Sequence, residues 1–386
     1  MIPAGIAGTS SNVSDQRLVY DVDSEFPEQV MLMFGMNDVG RNLYAREHPF
    51  FLKERKKALE TYRKNMISLI QRLKKRKIKV VLLAPSPFDS YGAVQKVAKS
   101  NIDSGIEMCA KITKELAVDY ETGWIDLHSR LCDILKRNPE SLLLNDRIHP
   151  NKTGHLILAS SLISEIAEKP VFALQNIDAE KETVITENAV CGKLDVAPDE
   201  LKWSYTPEFM PYPVDSVYRE ADKFADLTNQ FNQEILIVRN LKQDRWSLTI
   251  DKTRIGKFTK KELENGVNLA VLNTPMQKNA QHLLPLLENL LRADGTVRNL
   301  STAKFRLLEK DGINPENTRA ALAYLKKNID AGKWKEQSYF WHIAKNAAAY
   351  LPKERNLRKY ANSCRKQLYD AAAEKHTYTL ILTVEK

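Results

Sequence analysis

Over its first 170 or so residues the chain alternates short, continuous apolar runs with longer stretches in which apolar side chains recur every three or four positions. Val30-Met31-Leu32-Met33-Phe34 is such a run, closed by Gly35. A short apolar segment bounded by a turn residue is the pattern of a buried parallel strand. Lys79-Val80-Val81-Leu82-Leu83-Ala84, stopped by Pro85-Ser86-Pro87, repeats the pattern, as does Trp124-Ile125-Asp126-Leu127. Between the first two, Phe51 to about Lys75 carries Met66, Leu69, Ile70 and Leu73 at helical spacing, which predicts a long amphipathic helix. Further helices are expected over roughly 94–118, 127–137 and 153–168. Repeated strand–helix–strand units imply an α/β fold, a parallel sheet covered by helices, whose ligands bind beyond the carboxyl ends of the strands.

Past residue 170 the pattern changes. Pro170, Pro198, Pro207, Pro211 and Pro213 fall among mixed polar residues, so 171–230 reads as a linker wrapping the surface. Glu234–Val238 and Trp246–Asp251 read as a β-hairpin, with Arg254–Phe258 as a third short strand. Thr259 with Glu262 three residues on predicts a capping box at a helix start. Helical signals dominate from Met276 to Ala373, and the alternating Tyr378–Val384 segment reads as a strand returning to the hairpin's sheet. Three regions are therefore expected: a domain over 1–170, a linker over 171–230, and an α+β domain over 231–386.

The 386 residues suit two domains, and 43% hydrophobic with 28% charged content is that of a globular chain. No apolar run approaches the ~20 residues of a membrane span, and Met1-Ile2-Pro3-Ala4-Gly5 lacks the basic start of a signal peptide. Cys109, Cys132, Cys191 and Cys364 are widely spaced with no CxxC pair, so neither a zinc site nor a disulfide framework is expected. The net charge of +9 is concentrated late: residues 301–370 hold 15 Lys/Arg against 7 Asp/Glu. No nucleic-acid motif accompanies that excess, so a solvated helical surface is the expected meaning.

Three constellations could carry chemistry. In Asp146-Arg147-Ile148-His149-Pro150 an Asp three residues before a His can accept the Nδ1 proton and leave Nε2 outward as a general base. In Gly35-Met36-Asn37-Asp38, directly after an apolar strand, the Asn37 amide can donate to an oxyanion. In Gly5-Ile6-Ala7-Gly8-Thr9-Ser10, Gly8 lets a backbone N–H approach a ligand closely. Each alone has a plainer reading, as a surface histidine, a turn cap and a tight turn.

In this order and at these separations the three resemble the SGNH (GDSL-type) hydrolase family of lipases and esterases. The resemblance covers nearly all of residues 1–170 and extends through Pro150-Asn151-Lys152-Thr153-Gly154-His155 into the last helix. It implies a flavodoxin-like α/β fold and ester hydrolysis by a Ser–His–Asp mechanism without cofactor or metal. His149 and Asp146 would be triad members, and Gly8 and Asn37 oxyanion donors. The stretch Asn232–Pro275 is similar to a segment that follows this domain in some bacterial members.

The family's first block, a Gly-Asp-Ser that ends the first strand and supplies the nucleophile, has no counterpart, because only seven residues precede Gly8. Ser10, Ser11 and Ser14 follow Gly8 and are not expected to replace it. The first domain is thus expected to be N-terminally incomplete and inactive as given, its GxND strand exposed on one side. The alternative is a non-catalytic, carbohydrate-binding or structural pseudo-esterase, with Trp334, Tyr339, Phe340 and Trp341 as sugar platforms, although helix-core packing is their commoner role. The expected partner is a small-molecule or carbohydrate ester, with no nucleic acid and no membrane span. A secreted or periplasmic location would suit such a protein.

Overall fold

Strands β1 (Gln29–Leu32), β2 (Lys79–Leu83) and β3 (Gly123–Ile125) pair in parallel and in that order, so β1 lies at the edge of this sheet. They belong to a computed structural model that describes residues 2–44, 47–92, 101–141, 143–166 and 172–385. The helix Pro49–Lys75 crosses from β1 to β2 and buries Tyr62, Met66, Leu69, Ile70 and Leu73 on one face, the stripe its sequence predicts. From β2 to β3 the crossover is the helix Ile102–Asp119, which buries Ile106, Cys109, Ile112 and Leu116. The expected helix start near 94 lies outside the described residues. The Tyr62 hydroxyl reaches both the Phe34 carbonyl (3.2 Å) and Thr113 Oγ1 (2.8 Å), which satisfies the one polar atom it brings into that core. The helix Leu127–Arg137 follows, capped by Asp126, whose carboxylate accepts from the His128 and Ser129 N–H groups. The helix Lys152–Ile166 closes the series.

The chain divides into two units, one of Met1–Glu165 with Leu291–Ser363, the other of Ile166–Leu290 with Cys364–Lys386. Residues 291–363, which the sequence groups with the C-terminal strands, therefore cluster with the parallel sheet. Specific contacts explain this. Tyr20 Oη donates to Glu309 (2.5 Å), Arg358 pairs with Glu25, and Arg17 lies over the Phe305 ring. Lys304, 8% exposed, reaches Glu354 at 2.9 Å and Glu316 at 3.3 Å. None of these pairs is adjacent in sequence, so periodicity could not reveal them. Within this helical part Trp334 is buried among Leu308, Leu325 and Ile343, with Phe340 and Trp341 packed on the same cluster. Tyr339 alone of the four aromatics is well exposed.

Among the described residues the second unit holds two sheets, with helices between their strands. One runs β12 (Val267–Asn268), β9 (Gln233–Arg239), β4 (Phe172–Asp178), β5 (Thr183–Glu187). The other runs β11 (Thr253–Thr259), β10 (Arg245–Ile250), β13 (Tyr378–Val384), β8 (Glu200–Pro207), β6 (Ala189–Cys191), with β7 (Asp195–Ala197) also paired to β8. The segment 171–230, expected as a linker, thus holds five strands and, after them, the helices Ser216–Ala225 and Leu227–Phe231. The alternating burial of Leu201, Trp203 and Tyr205 identifies β8, and Pro198 and Pro207 stand at strand ends where a missing N–H costs nothing. β9 and β10 do not pair with each other. Leu241 is buried where the chain passes from one sheet to the other, and Leu236 and Val238 of β9 share a core with Trp246, Leu248 and Ile250 of β10. The hairpin is β10–β11, turning at Asp251 in a left-handed conformation (φ 52°). β13 pairs with β10 and the Thr259–Glu262 capping box forms, as the sequence predicts. Among the described residues no helix is long and apolar enough to cross a membrane.

Candidate active site

The loop before β1 turns at Gly8, whose φ of +70° is in the left-handed region, and Thr9 closes the turn by donating to the Ile6 carbonyl through N–H (3.3 Å) and Oγ1 (2.8 Å). After β1 the chain turns again at Gly35. Its φ is +143°, and a Cβ there would lie 2.9 Å from the Pro85 ring, so glycine is required twice over. One carboxylate joins the two turns. Asp38 Oδ1 accepts from Ser11 N–H (2.9 Å) and Ser11 Oγ (2.5 Å), while Oδ2 accepts from Gly35 N–H (3.1 Å). Burial pushes the Asp38 carboxyl up, and the Ser11 and Gly35 donors only partly pull it back. Asn37 Nδ2 donates one hydrogen to the Thr9 carbonyl (3.0 Å), which orients the amide and leaves its second hydrogen for another acceptor.

The Asp146–His149 loop is closed by a bridge between Leu144 and Pro150, with Asn145 N–H donating to the His149 carbonyl at 3.1 Å. Asp146 Oδ1 accepts from the N–H groups of Ile148 (3.1 Å) and His149 (2.8 Å), and Oδ2 meets His149 Nδ1 at 2.7 Å. Since an ionised carboxylate only accepts, Nδ1 carries the hydrogen and Nε2 presents a lone pair. Slight burial works to raise the Asp146 pKa, but the His149 and Ile148 donors outweigh it and bring the group down to about 2. Both side chains are open to solvent, His149 at 74% and Asp146 at 55% exposure. Between them Arg147 is buried in a left-handed conformation (φ 68°); it donates to the Gly92 carbonyl at 2.9 Å, and its own carbonyl accepts from Asp89 N–H at 2.9 Å. That anchor, not the exposed pair, fixes the loop. Gly154 completes it, because a Cβ there would stand 2.5 Å from the Leu143 carbonyl oxygen.

The predicted residues therefore form two groups, Gly8 with Asn37 and Asp146 with His149. Ile148 of the second packs against the same apolar core as Phe34 and Met36 of the first. Four supporting side chains escape the sequence reading: Ser11 with Asp38, Arg147, and Arg306, whose guanidinium donates to the Gly8 carbonyl at 3.2 Å. Asp38 lies within the GxND motif itself and could have been noticed; nothing in sequence signals a partner 298 positions away. Ser11 spends its hydroxyl on Asp38, and Ser14 accepts from Arg17 N–H as a helix cap.

The profile of the GDSL-like lipase/acylhydrolase family matches residues 1–157. An acetylxylan esterase from Geobacillus stearothermophilus is 28% identical over 166 residues, which are 43% of this chain and 71% of that protein. Among solved structures, a gut microbial diltiazem-metabolizing enzyme superposes over 99% of this chain and 89% of its own, with a TM-score of 0.89 at 22% identity. At that identity the likeness concerns the fold, and it extends through both units. The motifs, the parallel sheet and the family profile agree: residues 1–157 are similar to the GDSL-like lipase/acylhydrolase family.

Proposed function

We propose that this domain, when joined by a serine nucleophile, performs serine ester hydrolysis on small acyl groups, acetate on carbohydrate first among them, with His149 as general base and Asp146 as the group that orients it. The observation that carries the reading is the 2.7 Å contact between Asp146 Oδ2 and His149 Nδ1, which leaves Nε2 basic and facing solvent. A serine hydroxyl attacks the ester carbonyl, His149 takes its proton and returns it to the leaving alcohol, and water then releases the acid. Gly8 N–H and the free hydrogen of Asn37 Nδ2 would hold the oxyanion. The acetyl-carbohydrate substrate is supported by the acetylxylan esterase relative.

Ser11 and Ser14 are both committed to structural hydrogen bonds, and neither they nor Ser10 is proposed as the attacking hydroxyl. The 386 residues by themselves are therefore expected to hydrolyse p-nitrophenyl acetate no faster than a His149→Ala variant. They are also expected to remain unlabelled by a fluorophosphonate, which reacts with activated serines. Labelling at Ser10, Ser11 or Ser14 that disappears in His149→Ala would overturn that assignment. Placing an apolar strand that ends in Gly-Asp-Ser ahead of Met1 tests the chemistry itself: turnover dependent on His149 is expected, and equal rates with and without the imidazole would sink the mechanism. The pseudo-esterase reading with sugar-stacking aromatics has less support, since Trp334, Phe340 and Trp341 pack into the helical core.

A further inference from the structure

Beyond β2 the chain passes through Pro85-Ser86-Pro87-Phe88 beside two helix starts, and three metal-ligating side chains meet there. His128 and Cys132 stand one turn apart on the same face of the helix Leu127–Arg137, and Asp103 lies in the first turn of the helix Ile102–Asp119. Their ligand atoms all fall within 4.8 Å of one another; His128 is buried, and Asp103 and Cys132 are half-buried.

The hydrogen bonds define the state of each group. His128 Nδ1 lies 3.2 Å from the Pro85 carbonyl, which can only accept, so Nδ1 carries the hydrogen. The Nε2 lone pair then faces Cys132 Sγ at 3.5 Å, and the thiol is the donor. One Asp103 oxygen, Oδ1, accepts from Phe88 N–H at 3.1 Å. One sulfur, one nitrogen and one oxygen ligand atom thus lie within 4.8 Å of one another.

The geometry agrees. Tetrahedral zinc with Zn–S of about 2.3 Å and Zn–N of about 2.0–2.1 Å sets sulfur and nitrogen about 3.5 Å apart, which is the separation found between Cys132 and His128. Tying Nδ1–H to a backbone carbonyl is the usual means of aiming Nε2 at a metal. One thiolate, one imidazole and one carboxylate select a borderline-soft ion over calcium or magnesium.

We propose that Asp103, His128 and Cys132 form a binding site for a zinc-class divalent cation, with water as the fourth ligand. On binding, metal–sulfur, metal–nitrogen and metal–oxygen bonds form, the Cys132 S–H bond breaks, its proton leaves to solvent, and no electron is transferred. The site acts as a brace. His128 holds Pro85, whose ring fills the space beside Gly35; Asp103 holds Phe88; and the next residue, Asp89, donates to the Arg147 carbonyl of the Asp146–His149 loop. A cation here would fasten the loop between the two groups of the candidate active site.

The test is titration of the full chain with cobalt(II), followed by competition with zinc. One equivalent is expected, with sulfur-to-cobalt charge-transfer absorption in the near ultraviolet and the visible bands of a four-coordinate ion. Cys132→Ser should abolish the charge-transfer band and His128→Gln should weaken binding at least tenfold, while Cys191→Ser and Cys364→Ser leave both unchanged. Absence of the band in the unaltered protein, or its survival in Cys132→Ser, overturns the proposal. Because a variant can misfold, zinc-edge X-ray absorption on the unaltered protein gives an independent result: one sulfur at about 2.3 Å with nitrogen or oxygen neighbours is expected, and a shell with no sulfur, or with two, refutes it. None of these readouts depends on esterase activity.

Discussion

Two carboxylate–imidazole arrangements stand in the same domain and differ in almost everything except their chemistry. Asp146 and His149 meet at 2.7 Å on an exposed loop, with Nε2 open to solvent and nothing resting on the pair but its own backbone. Asp103 and His128 lie on two helices, where the imidazole is buried and tied to the Pro85 carbonyl, with Cys132 at its other nitrogen. The first can take a proton from an incoming group because its lone pair faces outward. The second cannot, because both ring nitrogens are already engaged, and its loss would disturb a loop. The carboxyl groups follow their surroundings too: backbone N–H donors bring Asp146 down to about 2, whereas burial holds Asp103 above its usual value.

The largest expected effect separates the two histidines by rate. In a chain provided with the Gly-Asp-Ser strand, His149→Ala should lower kcat/KM by on the order of 10⁴-fold or more, and Asp146→Asn, which keeps the shape but loses the tautomer control, by roughly 10³- to 10⁴-fold. A similar loss in His128→Gln with unchanged stability would erase the distinction drawn above.

The next effect tests the rule that burial raises a carboxyl, at a place without an imidazole. Glu234 of β9 is buried, accepts from the Tyr205 hydroxyl at 3.0 Å, and its second oxygen has no hydrogen-bond partner among the described residues. Burial lifts it to about 7, against the pull of Tyr205. Between about pH 4.5 and 7 the unfolded chain has released this proton and the folded one has not, so stability is full below that window and falls as pH rises through it. The shift corresponds to a loss of about 3 kcal/mol, measured by denaturant unfolding across pH. Glu234→Gln should flatten that slope. A wild-type profile that rises over the same interval would contradict the assignment.

Smaller again is the structural cost of the buried imidazole. His128→Gln should destabilise the protein by about 1–3 kcal/mol, since the Pro85 carbonyl and the Cys132 thiol lose their partner. Smallest is the counterpart at the exposed site: His149→Ala should change unfolding free energy by no more than about 0.5 kcal/mol. A midpoint shift in His149→Ala as large as that in His128→Gln would show that the loop depends on the pair rather than on Arg147.

Much of the parallel-sheet domain was legible in its sequence. The apolar runs 30–34 and 79–84, and the stripe Met66, Leu69, Ile70 and Leu73, became β1, β2 and the buried face of the crossover helix. The reading faltered where alternation was overruled by proline counting. Leu201, Trp203 and Tyr205 point inward from β8 although prolines surround them, because those prolines occupy strand ends. It faltered also over β9 and β10, since two adjacent strands look alike whether they pair with each other or separate into facing sheets around Leu241. At the site, Asp146 with His149 and Asn37 with Gly8 could be named from spacing. Arg306 and the Asp103–Cys132 proximity could not, because no local pattern brings such distant positions together.

Neighbouring residues set the hydrogen bonds between Asp146 and His149, while Arg147 anchors the loop as a whole. Three positions of chain suffice for one carboxylate to cap two N–H groups and hold an imidazole, so the motif already contains its structure. Tertiary structure alone decided what surrounds it: the Ser11–Asp38 brace that aligns Gly8 with Asn37, the Arg306 contact, and the three-residue cluster behind the 85–89 loop. The physical reason is range. Hydrogen bonds within a turn are written in neighbouring residues, whereas burial and the packing of distant helices depend on the whole chain having folded.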